Sequence, residues 1–152
     1  MINSEYLKEI KEAADIIIPA SNGRSLVTAT NVFSHIDSDI PDVVGMYKDE
    51  TQVIMYEQVG EPTLIQLFGS ISLDLEILCW EPGQILTFAE KHGNWLTMGP
   101  SLFMFVTRGK FVIVGMKRHR GDNKITLRFY DLREANHFNQ AIPAQIIIPK
   151  IF

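Results

Sequence analysis

From Ser25 onward, apolar and polar positions alternate with period two over much of the chain, the spacing of strands that bury one face and wet the other. The clearest case sets Ile71, Leu73, Leu75 and Ile77 against Ser72, Asp74 and Glu76, and it predicts a strand over 71–77. Further strands are predicted at 25–30, 52–57, 63–68, 85–90, 95–98, 102–107, 111–118 and 124–131. Turn residues separate them, among them Glu81-Pro82-Gly83, His92-Gly93-Asn94, Gly99-Pro100, Arg108-Gly109-Lys110 and His119 to Asn123. Connections this short make neighbouring strands antiparallel, because a parallel crossover needs a dozen or more residues. Leu102 to Val106 is apolar at every position, which predicts a central strand covered on both faces.

Before residue 25 the period is helical. Tyr6, Ile10, Ala13, Ala14 and Ile17 form one stripe, Ser4 can cap it and Glu5 sits in its first turn, so a helix is predicted up to Pro19 and the turn Ser21-Asn22-Gly23. It should dock on the sheet and cover the central strand. After Asp131, Leu132, Ala135 and Phe138 predict a short helix ending by Pro143, and Ile146-Ile147-Ile148 predicts a last strand or packed arm. The fold expected is therefore mainly β (α+β): an antiparallel meander forming a barrel or sandwich, with an N-terminal helix and a short C-terminal one. The stretch 31–48, rich in Asp and Ser, reads as an exposed connection.

Over roughly its last third, the run of strands ending in 125–131 and the helix carrying Ala135 and Phe138 resembles the closing part of a pleckstrin-homology-type barrel. The resemblance implies an open barrel end capped by that helix. It carries no diagnostic motif and implies no function.

At 152 residues, with 46% hydrophobic and 21% charged side chains, the chain is expected to form a single globular domain spanning 1–152. Cys79 is the only cysteine, so no intrachain disulfide and no multi-thiolate zinc site can form, and a reducing, cytoplasmic setting is expected. The first fifteen residues carry three glutamates and two lysines and do not read as a secretion signal. No apolar run approaches the length of a membrane span.

Local catalytic signatures are absent: no phosphate-cradling glycine loop, nucleophile elbow, zinc-protease helix or dinucleotide fingerprint occurs. His35, Asp37, Asp39 and Asp42 are the one local set of candidate cation ligands, but they lack the glycine and distal glutamate of a calcium loop and read better as turn residues. Cys79 has Glu76 and Glu81 for neighbours and reads as a buried hydrophobe rather than a nucleophile. His92, His119 and His137 read as isolated surface residues. Arg120-Gly121-Asp122 spells an integrin-binding tripeptide, and it reads here as a turn. Most of the aromatic residues Trp80, Trp95, Phe103, Phe105, Phe111, Phe129 and Tyr130 read as core rather than as a base-stacking platform. No metal or cofactor is expected.

Charge is the feature that singles out a region. Residues 1–107 hold fifteen acidic and five basic side chains, whereas 108–128 hold seven basic ones against Asp122 alone, balances of minus ten and plus six. Basic strand edges can serve merely to prevent aggregation. Lys117, Arg118, Arg120 and Lys124 nevertheless cluster about one turn, and Arg128 follows on the next strand. The expectation is a non-enzymatic binding module whose basic hairpin, about 108–128, contacts an anionic partner: an acidic protein surface, a nucleic acid or a phospholipid head group. Two alternatives stand beside it. One is a structural subunit forming homo-oligomers through strand edges and its C-terminal tail, and the other a β-barrel binding a small apolar ligand.

Overall fold

The computed structural model describes residues 5–134 and 142–150. Its centre is an open, mixed β-sheet in the order β1-β4-β8-β5-β6-β7-β3, with β2 also paired to β4. The strands are β1 (Leu7–Glu9), β2 (Ile17–Ile18), β3 (Phe33–Ile36), β4 (Thr51–Gln58), β5 (Ser101–Thr107), β6 (Lys110–Arg118), β7 (Ile125–Tyr130) and β8 (Gln145–Pro149). Two helices, α1 (Leu64–Gly69) and α2 (Pro82–His92), lie mid-chain between β4 and β5.

The expected antiparallel barrel or sandwich is thus corrected to an open mixed sheet. Two pairings are parallel, β5 with β8 and β3 with β7. They are possible because both connect strands distant in sequence, where no tight turn dictates direction. The pleckstrin-type resemblance fails with the barrel, since the last described strand enters the middle of the sheet.

Leu102 to Phe105 do occupy the centre and are covered on both faces, whereas Val106, expected to be covered with them, is 37% exposed. Phe103 and Phe105 pack with Ile85, Leu86 and Phe88 of α2 and with Val53, Val114 and Ile147. Phe88 meets Phe103 edge to face at a centroid distance of 5.2 Å. On the other face Leu102 and Met104 pack with Leu64, Leu67 and Phe68 of α1 and with Leu78 and Ile113. The cover is α2 and α1, not an N-terminal helix.

The predicted N-terminal helix is replaced by β1, a 3-10 turn at Lys11–Ala13 and β2, which pair along one edge of β4. Leu7, Ile16 and Ile18 are buried while Ala14 and Ile17, members of the helical stripe, face water. The ladder with β4 outweighs a helical periodicity that is weak over so short a span. Ser4 lies outside the described residues.

Three predicted strands are helical instead. Segment 63–68 is α1, which Thr63 caps by accepting from the Gln66 amide at 3.2 Å while the Gln66 side chain accepts from Thr63 N–H at 2.8 Å. Segment 85–90 is α2, opened by the equivalent Glu81–Gln84 box with Pro82 in the first turn. Segment 71–77 becomes a bend and a 3-10 helix at Leu75–Leu78. Ser72 Oγ accepts from Asp74 N–H at 3.0 Å and turns the chain, leaving Leu73 95% exposed. The predicted strands at 25–30 and 95–98 are turns and a 3-10 helix. Strands at 52–57, 102–107, 111–118 and 124–131 agree with β4, β5, β6 and β7 within two residues. Of the predicted C-terminal helix, Leu132 lies in a turn, and Ala135 and Phe138 fall outside the described residues.

Ile146 to Ile148 form an inner strand, paired antiparallel to β4 from Val53 to Glu57 and parallel to β5 at Ser101 and Leu102. Beyond those two residues β5 and β8 diverge, and Cys79-Trp80 fills the gap. Trp80 N–H donates to Met104 O at 2.8 Å and its indole Nε1–H donates to Ile147 O at 2.9 Å. Two backbone carbonyls left without ladder donors where the strands part are each given an N–H by one residue wedged between them.

Candidate functional site

The basic hairpin exists, and its register decides which cations share a side. β6 and β7 pair antiparallel, with Lys117 opposite Thr126, Arg118 opposite Ile125 and Gly115 opposite Arg128. Lys117 therefore points to the face of Ile113, and Lys124, Thr126 and Arg128 follow on that same face of the neighbouring strand. Lys117 is half-buried; Arg120, Lys124 and Arg128 are exposed.

The connecting turn is built by its own side chains and by positive φ. His119 N–H donates to Lys124 O at 2.9 Å, Asn123 N–H to His119 O at 3.1 Å and Lys124 N–H to Asp122 Oδ1 at 3.0 Å. Gly121 sits at φ 99° and Asn123 at φ 57°, conformations that glycine and asparagine tolerate. The Arg-Gly-Asp tripeptide is therefore a turn element, with the Asp122 carboxylate turned back on the chain.

Arg118 lies on the opposite face and is tied to the fold. Its Nη1 donates to Gly93 O at 3.3 Å at the end of α2, and its backbone N–H donates to Thr97 O at 2.8 Å. A guanidinium on the last carbonyls of a helix complements the negative end of the dipole. Arg118 thus stands apart from the other four members of the expected group.

The seven basic residues of 108–128 do not form one patch. Arg108 and Lys110 lie at the β5–β6 turn, seven positions along β6 from Lys117. At strand rise that is about 23 Å. Arg133, which the local sequence did not single out, joins Arg108 and Lys110 where the chain leaves β7. Only tertiary pairing brings these positions together.

Among the described residues the ion pairs are Arg24 with Glu90 and Arg133 with Asp131. Lys117, Arg120, Lys124 and Arg128 take part in neither. The ring of Tyr130 lies over Gly115, where an added Cβ would stand 2.5 Å from Tyr130 Cε2. Burial raises the Tyr130 hydroxyl pKa, and the nearby Arg128 charge opposes that rise.

The remaining candidates are structural. Asp37 Oδ2 accepts from Phe129 N–H at 3.3 Å and Asp42 Oδ1 accepts from Ser25 Oγ at 2.7 Å, so these carboxylates fasten the 31–48 connection to β7 and to Ser25. No group of three or more potential metal ligands occurs among the described residues. Burial, followed by the charges of Glu76, Glu81 and Asp74, pushes the Cys79 thiol up to about 12, so it is protonated at neutral pH. His92 Nε2 lies 3.0 Å from Ile17 O and His119 Nε2 lies 3.3 Å from Thr126 Oγ1. His137 falls outside the described residues. No helix among the described residues is long and apolar enough to cross a membrane.

Compared with protein families, curated proteins and solved structures, the chain matches none.

Proposed function

We propose that the protein is a non-enzymatic binding module whose β6–β7 ribbon contacts an anionic partner through Lys117, Arg120, Lys124 and Arg128. The observation that carries this reading is the set of four cations at one ribbon end, without a carboxylate partner among the described residues, on a chain of net charge minus four. Cations used only to protect a sheet edge belong on edge strands. β6 and β7 are inner strands, though β5 accompanies β6 only to Met116 and β3 accompanies β7 only to Leu127, and Arg120 and Lys124 lie in the turn between β6 and β7. Edge protection does not account for Arg120 and Lys124, which sit in the turn and not along a strand edge. A cytoplasmic setting accords with a lone, protonated cysteine.

The alternative readings draw less support. Gln145–Pro149 is used by the chain's own sheet, and edge strands of three and four residues offer little to a second copy. The sheet is open, so no barrel interior exists to hold an apolar ligand.

Replacing Lys117, Arg120 and Lys124 together by Ala is expected to abolish retention on an anionic matrix and leave the thermal midpoint nearly unchanged, since surface substitutions usually cost little. For duplex DNA with about three phosphates neutralised, affinity should fall on the order of 50-fold between 50 and 200 mM salt. An acidic protein should show a shallower salt dependence and slower association with the variant. Unaltered retention would overturn the reading.

A further inference from the structure

At the other end of the ribbon the strands stop out of step. β7 accompanies β6 only as far as the pair Ile113–Tyr130, whereas β5 accompanies it to Lys110. The β5–β6 hairpin therefore overhangs, and a notch of about 570 Å³ opens beneath the overhang. Its apolar surface comes from Pro41, Phe111, Val112, Phe129 and Leu132. Small-molecule sites span roughly 300–1,000 Å³. A second cavity, beside Ile10 and Gln52, has only about 160 Å³.

The rim is charged, and its bonding leaves a definite surplus. Asp131 Oδ1 accepts from Arg133 N–H at 2.9 Å and lies 3.5 Å from Arg133 Nε, so those two charges cancel. The backbone N–H of Arg133 holds the Asp131 carboxyl below its ordinary pKa and so ionised. Arg108 and Lys110 remain, against Asp39 alone. Arg108 at φ 51° and Gly109 at φ 75° form a tight hairpin turn that fixes where the first of these cations starts.

We propose that this notch binds a small amphipathic monoanion, a flat apolar body bearing one acid group. The aromatic and aliphatic floor takes the body, and the surplus of one positive charge takes the acid. A dianion would be opposed by Asp39, and a neutral molecule would leave both free cations unused. The site is separate from the ribbon tip and does not depend on what binds there.

The test uses the full chain and two fluorescent probes of similar shape, 8-anilinonaphthalene-1-sulfonate and the uncharged N-phenyl-1-naphthylamine. The anionic probe should bind saturably with enhanced, blue-shifted emission. The double variant Arg108→Asn, Lys110→Gln should weaken it by roughly tenfold or more, as loss of a charge-assisted hydrogen bond requires. Asparagine tolerates the left-handed backbone at 108, so the turn is kept. The uncharged probe should bind that variant as it binds the wild type. Thr107→Trp, which fills the notch, should exclude both probes, and if circular dichroism shows that it disturbs the fold, the charge variant still decides. The Lys117, Arg120, Lys124 triple variant should bind both probes normally. Absence of saturable binding, or equal affinity of the anionic probe for wild type and charge variant, would overturn the proposal.

Discussion

Trp80 closes the seam between β5 and β8 with two hydrogen bonds, one from its backbone and one from its indole. Trp80→Phe keeps much of the apolar volume but orphans the Ile147 carbonyl, and leaving a buried acceptor unsatisfied costs about 1–3 kcal/mol. Chemical denaturation should show a loss of at least that order, and an unchanged midpoint would mean that water replaces the indole. The neighbouring Cys79 makes a pH-dependent prediction. Its thiol ionises near 9.0 when unfolded and at about 12 when folded, so from pH 9 upward the unfolded chain releases a proton that the folded chain retains. Stability contributed by this group is therefore complete below pH 9 and declines as pH rises above it. Tyr56 and Tyr130, also raised by burial, act in the same direction, but mainly above the ordinary tyrosine pKa of 10.0. Between pH 9 and 10 the decline should be shallower in Cys79→Ala, measured by urea midpoints, and an identical slope in both proteins would show that the thiol is not shielded in solution.

At the scale of elements, α1 and α2 show how local signals compete. Thr63-Leu64-Ile65-Gln66 is a capping box legible in the sequence, and Pro82 after Glu81 is a helix-start signal for α2. Leu64, Leu67 and Phe68 keep helical spacing, as do Ile85, Leu86, Phe88 and Ala89. Short apolar runs read equally well as strands when the caps are given no weight. Gly83 adds a tertiary condition. A Cβ there would stand 2.6 Å from Asn22 O and 3.3 Å from Arg24 N, so the first turn of α2 lies directly against the backbone of 22–24. Gly83→Ala gains at most about 1 kcal/mol of helix propensity but forces backbone apart, a strain typically of 1–3 kcal/mol. The expected outcome is a lower thermal midpoint. A higher one would show that the 22–24 segment yields freely.

For the molecule as a whole, the last described strand is the decisive piece. β8 joins β4 to β5, and with Trp80 it connects the two halves of the sheet. Deleting residues 145–152 should leave a chain without cooperative unfolding, whereas deletion of a loosely attached tail would change little. Size-exclusion chromatography and thermal denaturation distinguish the two outcomes. Local pattern was enough for β4 to β7 and for the central place of Leu102 to Phe105, because strand periodicity and an all-apolar run are consequences of burial on one face or two. It was enough as well for the Lys117, Lys124 and Arg128 side of the ribbon, since alternation along paired strands is set by backbone geometry. Other features depend on residues far apart in the chain: the parallel entry of β8, the pairing of 7–18 with β4, the use of Arg118 at the end of α2, and the gathering of Arg108, Lys110 and Arg133 around one notch. Their partners are chosen by which strand edges and helix ends remain unsatisfied once the sheet forms, and that choice is made only in the folded chain.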